Sequence, residues 1–315
     1  MGFQNKYCMQ TFTEFFNTKY PIACMAMNKV SDVNLALAVR RAGCLPSLSI
    51  FNYYTGINEI SVSLLERDLD EYYNEFGDAS VLISVDVGNL LDLPGLLDVL
   101  LKRSVKAVEI IIEDRNPDAE SRQVTILPNV ISQLRASGAL VFTKALSSGD
   151  VLTCASGVVL KGPDGAGRGN IIGVTLEQLF DQFKAHFPAQ LIITSGGVGT
   201  SEQLKHYIDR GAFGVGIGTM FAVSAESKIS SETKLKLVAS GASDVKRLGN
   251  STTGFVSQNA IIFSNTAGDN DNNTRGLMAG IKNPNIGHVF VGKGIEHATE
   301  ILTCNEIVQR LVKDL

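Results

Sequence analysis

Three stretches of this chain place bare backbone beside residues that can hold charge. Leu191-Ile192-Ile193-Thr194 runs directly into Ser195-Gly196-Gly197-Val198-Gly199-Thr200, and Gly214-Val215-Gly216-Ile217-Gly218-Thr219 soon repeats the arrangement. Glycine admits positive φ and lets the main chain approach a ligand closely. Thr200 and Gln203 have the spacing of a capping box for a following helix, and amides exposed at a helix N-terminus attract phosphate. The third stretch, Lys161-Gly162-Pro163-Asp164-Gly165-Ala166-Gly167-Arg168-Gly169-Asn170, sets two cations among four glycines directly after an apolar run. Lys144, closing Leu140-Val141-Phe142-Thr143, is another cation at a strand end. Taken singly, each glycine turn is equally consistent with a steric use of glycine, and the third with a surface loop that holds nothing.

The elements that would position these residues follow from alternation along the chain. Apolar β-type runs are expected at residues 20–24, 45–49, 81–87, 107–112, 140–143, 157–160, 191–194 and 214–217. Between them lie amphipathic stretches such as SDVNLALAVRRAG, in which Ser31 is expected to cap and Gly43 to terminate, and TLEQLFDQFKAHF. Eight strands, each followed by a helix, predict an α/β fold, a (β/α)8 TIM barrel, with an open doubly wound sheet as the alternative layout. In a barrel the loops after strands seven and eight form the usual phosphate site, and the first two glycine turns fall on those strands. After the eighth strand the rhythm breaks. Residues 226–287 read as a small cap insertion, and residues 1–225 and 288–315 as the barrel. The polar run Asp269 to Asn273 has neither the glycine nor the glutamate of a calcium loop and reads as solvated.

Composition narrows the partners. The 315 residues carry a formal charge of −4 with scattered Lys and Arg, which offers no footprint for nucleic acid or an anionic membrane. No apolar run is long enough to span a bilayer, and the start lacks a signal-peptide core or a myristoylation motif, so a cytoplasmic protein acting on a small molecule is expected. The five cysteines have no metal-ligand or redox spacing and read as small core residues; no metal site is expected. The four histidines, His186, His206, His288 and His297, read as surface or capping residues. Oligomeric state is left open.

Over almost the whole chain the residues resemble the nitronate monooxygenase family, also called 2-nitropropane dioxygenase-like, whose relatives include flavin-dependent enoyl-acyl carrier protein reductases. MAMNKVS stands where the family has APMAGVS, SGGVGTSEQL with GAFGVGIGTMF is similar to its phosphate-binding pair, and HVFVGKGIEHATEILTCNEIVQRLV looks like its closing segment. The resemblance implies an FMN-binding barrel in which Met25, Ala26 and Met27 back the flavin ring. It also implies that Asp86 stands for an asparagine that contacts flavin and that Lys144 lies near the ring. Ser195, Gly196, Gly197, Gly218 and Thr219 would hold the phosphate. The loop with Lys161, Ala166 and Gly167 would lie against the flavin, Lys161 adding a second cation beside Arg168.

One position departs from the pattern. Arg168 stands where the family has the histidine that takes a proton from a neutral nitroalkane. Arginine stays protonated and has no acceptor, but it can hold an anion bidentately. Arg168 and Lys144 are therefore the expected catalytic pair, and three routes stay open: oxidation of substrates that arrive anionic, such as nitronates, with O2; a flavin-dependent reductase of the enoyl-acyl carrier protein reductase type; or a non-catalytic FMN- or phosphate-binding barrel. A flavin-free lyase or isomerase with a Schiff base at Lys144 is a further rival.

Overall fold

The computed structural model describes residues 10–55, 59–86, 93–111, 117–145, 152–168, 173–248, 258–263 and 274–315. Eight parallel strands form the barrel: Ile22–Cys24 (β1), Ser47–Ser49 (β2), Leu82–Asp86 (β3), Ala107–Ile111 (β4), Leu140–Ala145 (β5), Gly157–Lys161 (β6), Leu191–Ser195 (β8) and Gly214–Ile217 (β9), the label β7 going to a short strand outside it, Gly167–Arg168. They pair in the order β1-β9-β8-β6-β5-β4-β3-β2. A parallel bridge between Ala23 and Leu45 joins the two ends. The eight expected runs are the eight observed strands, with ends that differ by at most two residues.

The strands alternate as a barrel wall must. On β4, Ala107 belongs to the interior cluster, with Phe142 and Val159, while Val108 and Ile110 pack outward. Outside stand the helices Val33–Arg41 (α2), Val62–Phe76 (α3), Leu93–Lys102 (α4), Pro117–Ala136 (α5), Leu176–His186 (α6), Ser201–Asp209 (α7) and the single turn Thr219–Ala222 (α8). A helix was expected after every strand; after β5, residues 146–151 lie outside the described set, and residues 152–156 carry none.

A first short helix, Phe12–Phe16 (α1), closes the amino end. Phe12 lies 5.3 Å from Phe213 between ring centroids, and Phe213 lies 6.4 Å from Phe142 inside the barrel. Aromatic rings thus fill that end among the described residues.

There the chain adds a second, small antiparallel sheet. Lys246–Leu248 (β10) and His288–Val289 (β12) pair with Gln258–Ile262 (β11), and so does β7 from the glycine loop after β6. The helices Ser231–Val238 (α9) and Thr274–Lys282 (α10) accompany it, and Cys304–Leu311 (α11) ends the fold. The polar run 269–273 lies outside the described residues.

Two local expectations change. The N-cap of α2 is Asp32, whose carboxylate accepts from the Leu35 amide at 3.1 Å, and not Ser31. The Ser31 hydroxyl is engaged one turn earlier, accepting from the Met27 amide at 2.9 Å, so it shapes the loop after β1. His288 is buried and His297 half-buried, against the surface reading, because His288 stands on β12 between β11 and α10 and His297 packs against Gly199.

Candidate functional site

An open cavity of about 590 Å³, the space at its mouth included, lies at the carboxyl ends of β1, β5, β6, β8 and β9. Met25, Ala26 and Met27 form one wall. Their loop is pinned by the Met25 amide, which donates to the Ile217 carbonyl at 2.9 Å, and by Ser31. Val159, on β6, adds an apolar surface facing the same space.

The opposite end is backbone. Ser195, Gly196 and Gly197 line the cavity, and both glycines hold φ +96°, a conformation that a side chain would strain. The amides of Gly197, Gly218 and Thr219 have no acceptor among the described residues. The capping box of α7 forms as expected: Thr200 Oγ1 accepts from the Gln203 amide, and Gln203 Oε1 accepts from Gly199 at 2.8 Å and Thr200 at 3.2 Å. The donors left over are those that point away from α7's own cap. A Cβ on Gly218 would meet nothing nearer than the Met27 sulfur at 3.9 Å, so a side chain there would enter the cavity. Amides that lack acceptors, together with a cradle that a Cβ would fill, fit an anionic group such as a phosphate.

The glycine loop after β6 is held at four places. The Gly162 amide donates to the Ser195 carbonyl at 2.8 Å. From β11, the buried Asn259 amide donates to the carbonyls of Pro163 and Gly165, each at 2.8 Å. Lys161 Nζ donates to the Ala166 carbonyl from beneath, and Asp164 pairs with Lys293 at 2.7 Å. The glycines exist because neighbours crowd them. A Cβ on Gly292 would stand 2.3 Å from the Asp164 carbonyl, and one on Gly196 2.9 Å from that of Gly162. Lys161 and Ala166 line the cavity; Gly167, at φ +63°, pairs with Asn259 and is not part of the wall.

Lys144 reaches the cavity from β5, its ammonium 3.3 Å from the Glu109 carboxylate. Asp86 closes β3 in register with Ile111, and Arg168 pairs through its backbone with Gln258; both side chains lie outside the described set. Eleven of the residues singled out from sequence thus share one cavity wall. Sequence reasoning missed Asn259, Gly292 and Glu109. For Glu109 a signal existed, a lone acid inside the apolar run Ala-Val-Glu-Ile-Ile. Asn259 stands on β11 and Gly292 after β12, with no spacing to tie them to a loop some ninety residues earlier or more.

Three thiols stand outside the cavity wall. Cys24, Cys44 and Cys304 are buried, and burial pushes all three upward from the usual thiol range, which keeps them protonated and unreactive.

Fold and cavity define the class of (β/α)8 barrels with their site at the carboxyl face. More narrowly, the chain belongs to the nitronate monooxygenase family, whose model matches residues 9–314. Membership supports the coarser reading of a flavin-dependent oxidoreductase. Among solved structures, the chain is similar to FabK from Thermotoga maritima, with a TM-score of 0.76 at 18% identity over 97% of this chain and 96% of that one. Nitroalkane oxidase from Streptomyces ansochromogenes gives 0.75 at 17% identity, over 97% and 98%. The enoyl reductase domain of MlnA from Bacillus amyloliquefaciens gives 0.66 at 12%, over 96% and 95%. At these identities the likeness is one of fold. A search of curated proteins finds no match. No helix among the described residues is long and apolar enough to cross a membrane.

Proposed function

We propose that the chain is an FMN-dependent oxidoreductase that takes small anionic, nitronate-type substrates and passes their electrons to O2, with residues 226–287 as a cap beside the mouth. The observation that supports it most is one cavity with two chemically different ends. At one end Ser195 and Gly196 line the wall beside the main-chain donors of Gly197, Gly218 and Thr219, suited to a phosphate. At the other are the Met25–Met27 shelf and Val159, suited to a flat ring.

Flavin, when bound, supplies the electron acceptor and the route to oxygen. The chain's own residues supply orientation and field. Met25, Ala26 and Met27 would back one face of the ring, and the amides of Gly197, Gly218 and Thr219, beside Ser195 and Gly196, would hold the phosphate. The Lys144 ammonium offers positive charge where negative charge develops on reduction. Lys161, through the Ala166 carbonyl, keeps the glycine loop closed against the cavity.

Arg168 sets substrate class in this reading. It occupies the position of the family's proton-accepting histidine, and a guanidinium retains its protons, so it pairs with an anion and leaves a neutral nitroalkane untouched. The substrate therefore arrives already ionised. Anaerobic mixing of the flavin-loaded protein with an alkyl nitronate tests this, and bleaching of the flavin band is the expected result. A band that persists with nitronate but bleaches with a nicotinamide donor and recovers with an enoyl thioester would replace the proposal by the reductase reading.

A further inference from the structure

The barrel contains a carboxylate that no motif assigns. Glu109 is the middle residue of β4 and 0% exposed. Its register partners are Ser84 on β3 and Phe142 on β5. Phe142 and Ala107, the latter two residues before Glu109, belong to the interior cluster, so the Glu109 side chain projects into the barrel. Lys144 follows Phe142 by two residues on the same face of β5 and lines the cavity. Its Nζ lies 3.3 Å from Glu109 Oε1, and neither carboxylate oxygen has a hydrogen-bond donor among the described residues.

A carboxylate stripped of water needs a partner or hydrogen bonds, and a buried ion pair is seldom retained for stability alone, because an apolar pair of the same volume does as well or better. The barrel already shows that solution at Phe142 and Val159. What the charged pair adds is electrostatic. A lone ammonium facing an electron acceptor favours its reduced form, and a carboxylate 3.3 Å from that ammonium opposes most of the effect.

We infer that Glu109 is a positioning residue: from inside the barrel it holds the Lys144 ammonium at the cavity floor and cancels most of its charge, so that the pair, and not the lysine alone, sets how strongly the site favours a reduced ligand. The inference rests on the flavin reading above. Its chemical sense is that a site which hands electrons on to O2 gains from not over-stabilising the reduced cofactor.

The test uses the full chain reconstituted with FMN. Midpoint potential and sulfite affinity, which rises with potential, are measured for the wild type, Glu109→Gln, Glu109→Asp and the double variant Glu109→Gln/Lys144→Gln. Glu109→Gln is expected to raise the potential and to tighten sulfite binding at least about tenfold, a factor that corresponds to about 30 mV for a two-electron couple. Glu109→Asp keeps the charge and stays near the wild type. The double variant, with both charges gone, falls back toward the wild type. Should Glu109→Gln fail to fold, the neutral double variant still decides: a potential far below the wild type means that the lysine acts unopposed and overturns the inference. An unmoved potential in a folded, flavin-loaded Glu109→Gln protein overturns it as well, leaving the cofactor reading intact. No flavin band in the wild type overturns both.

Discussion

Gly216 lies so close to Met25 that a Cβ on it would stand 2.4 Å from the Met25 sulfur and 3.0 Å from the Ser195 Cβ. The contact ties the strand that carries the second glycine turn to the loop expected to back the ring. Gly216→Ala would push the Met25 side chain off its seat, toward the cavity. Overpacking of this kind costs about 1–3 kcal/mol. Thermal unfolding should show that loss, and flavin titration should show weaker binding in the same variant. Wild-type behaviour in both assays would mean that Met25 yields without consequence and does not shape the site.

Two residues further on, the same substitution should behave differently. The space around Gly218 is open, its φ is −114°, and a methyl group there would point at Met25 and Met27 across the cavity. Gly218→Ala should therefore unfold within about 0.5 kcal/mol of the wild type, as surface-like changes do, while its affinity for FMN or for free phosphate falls. A stable variant with unchanged affinity would remove Gly218 from the phosphate cradle.

Asn259 fastens the glycine loop to the small sheet, and both of its donated hydrogen bonds end on carbonyls that nothing else among the described residues satisfies. Asn259→Ala should cost about 1–3 kcal/mol, the usual penalty for buried groups left unpaired. Asn259→Asp should do no better, since a carboxylate has no hydrogen to donate. Hydrogen exchange at residues 162–167 should accelerate in both variants, ahead of the barrel strands. Uniform exchange across the molecule would show that the loop does not depend on this clasp.

The strands were legible because β-branched and apolar residues cluster at regular intervals in a parallel sheet buried on both faces, as in Val158-Val159-Leu160. The glycine turns at 195–199 and 216–218 were legible for the same reason, since their place after the seventh and eighth strands follows once the count is known. What brings distant segments together was not legible. The pairing of Gly167 with Asn259, and the approach of Gly292 to Asp164, depend on how β11 and the segment after β12 meet the loop after β6. Glu109 was hidden differently, because strand period tells that it faces one side of β4 but not that Lys144 waits there. The shift of the α2 cap from Ser31 to Asp32 is a local version of this: two candidate caps stand side by side, and the tertiary demand on Ser31 from the Met25–Met27 loop decides between them.

Buried acids that hold their protons make the fold sensitive to alkali. Burial pushes Cys24, Cys44 and Cys304 upward, and it does the same to Tyr53 and Tyr72, while Tyr207 is pushed up to about 12. Unfolded thiols release their protons near pH ~8.5 and the folded ones do not, so above that pH the folded state binds more protons and stability falls as pH rises. The slope approaches about 1.4 kcal/mol per pH unit for each thiol. Urea midpoints should decline from about pH 8 to about pH 9.5, and Cys44→Ala should flatten the decline while lowering stability at neutral pH. A midpoint that holds steady over that range would contradict the burial of these thiols.

Arg168 supplies the sharpest prediction about chemistry. If its guanidinium pairs with an ionised substrate and cannot accept a proton, activity should follow the nitronate form, and the neutral nitroalkane should be inert at a pH where it stays un-ionised. Arg168→His restores a group that can take a proton near neutral pH. The variant should gain turnover of neutral nitroalkanes, with a pH profile that rises through the histidine range, and should bind nitronate more weakly because the bidentate partner is gone. Arg168→Lys separates the two roles, since it keeps the charge, loses the fork and gains no base in its protonated form. Equal use of neutral and ionised substrate by the wild type would place the proton acceptor on another residue and leave Arg168 without the role assigned to it.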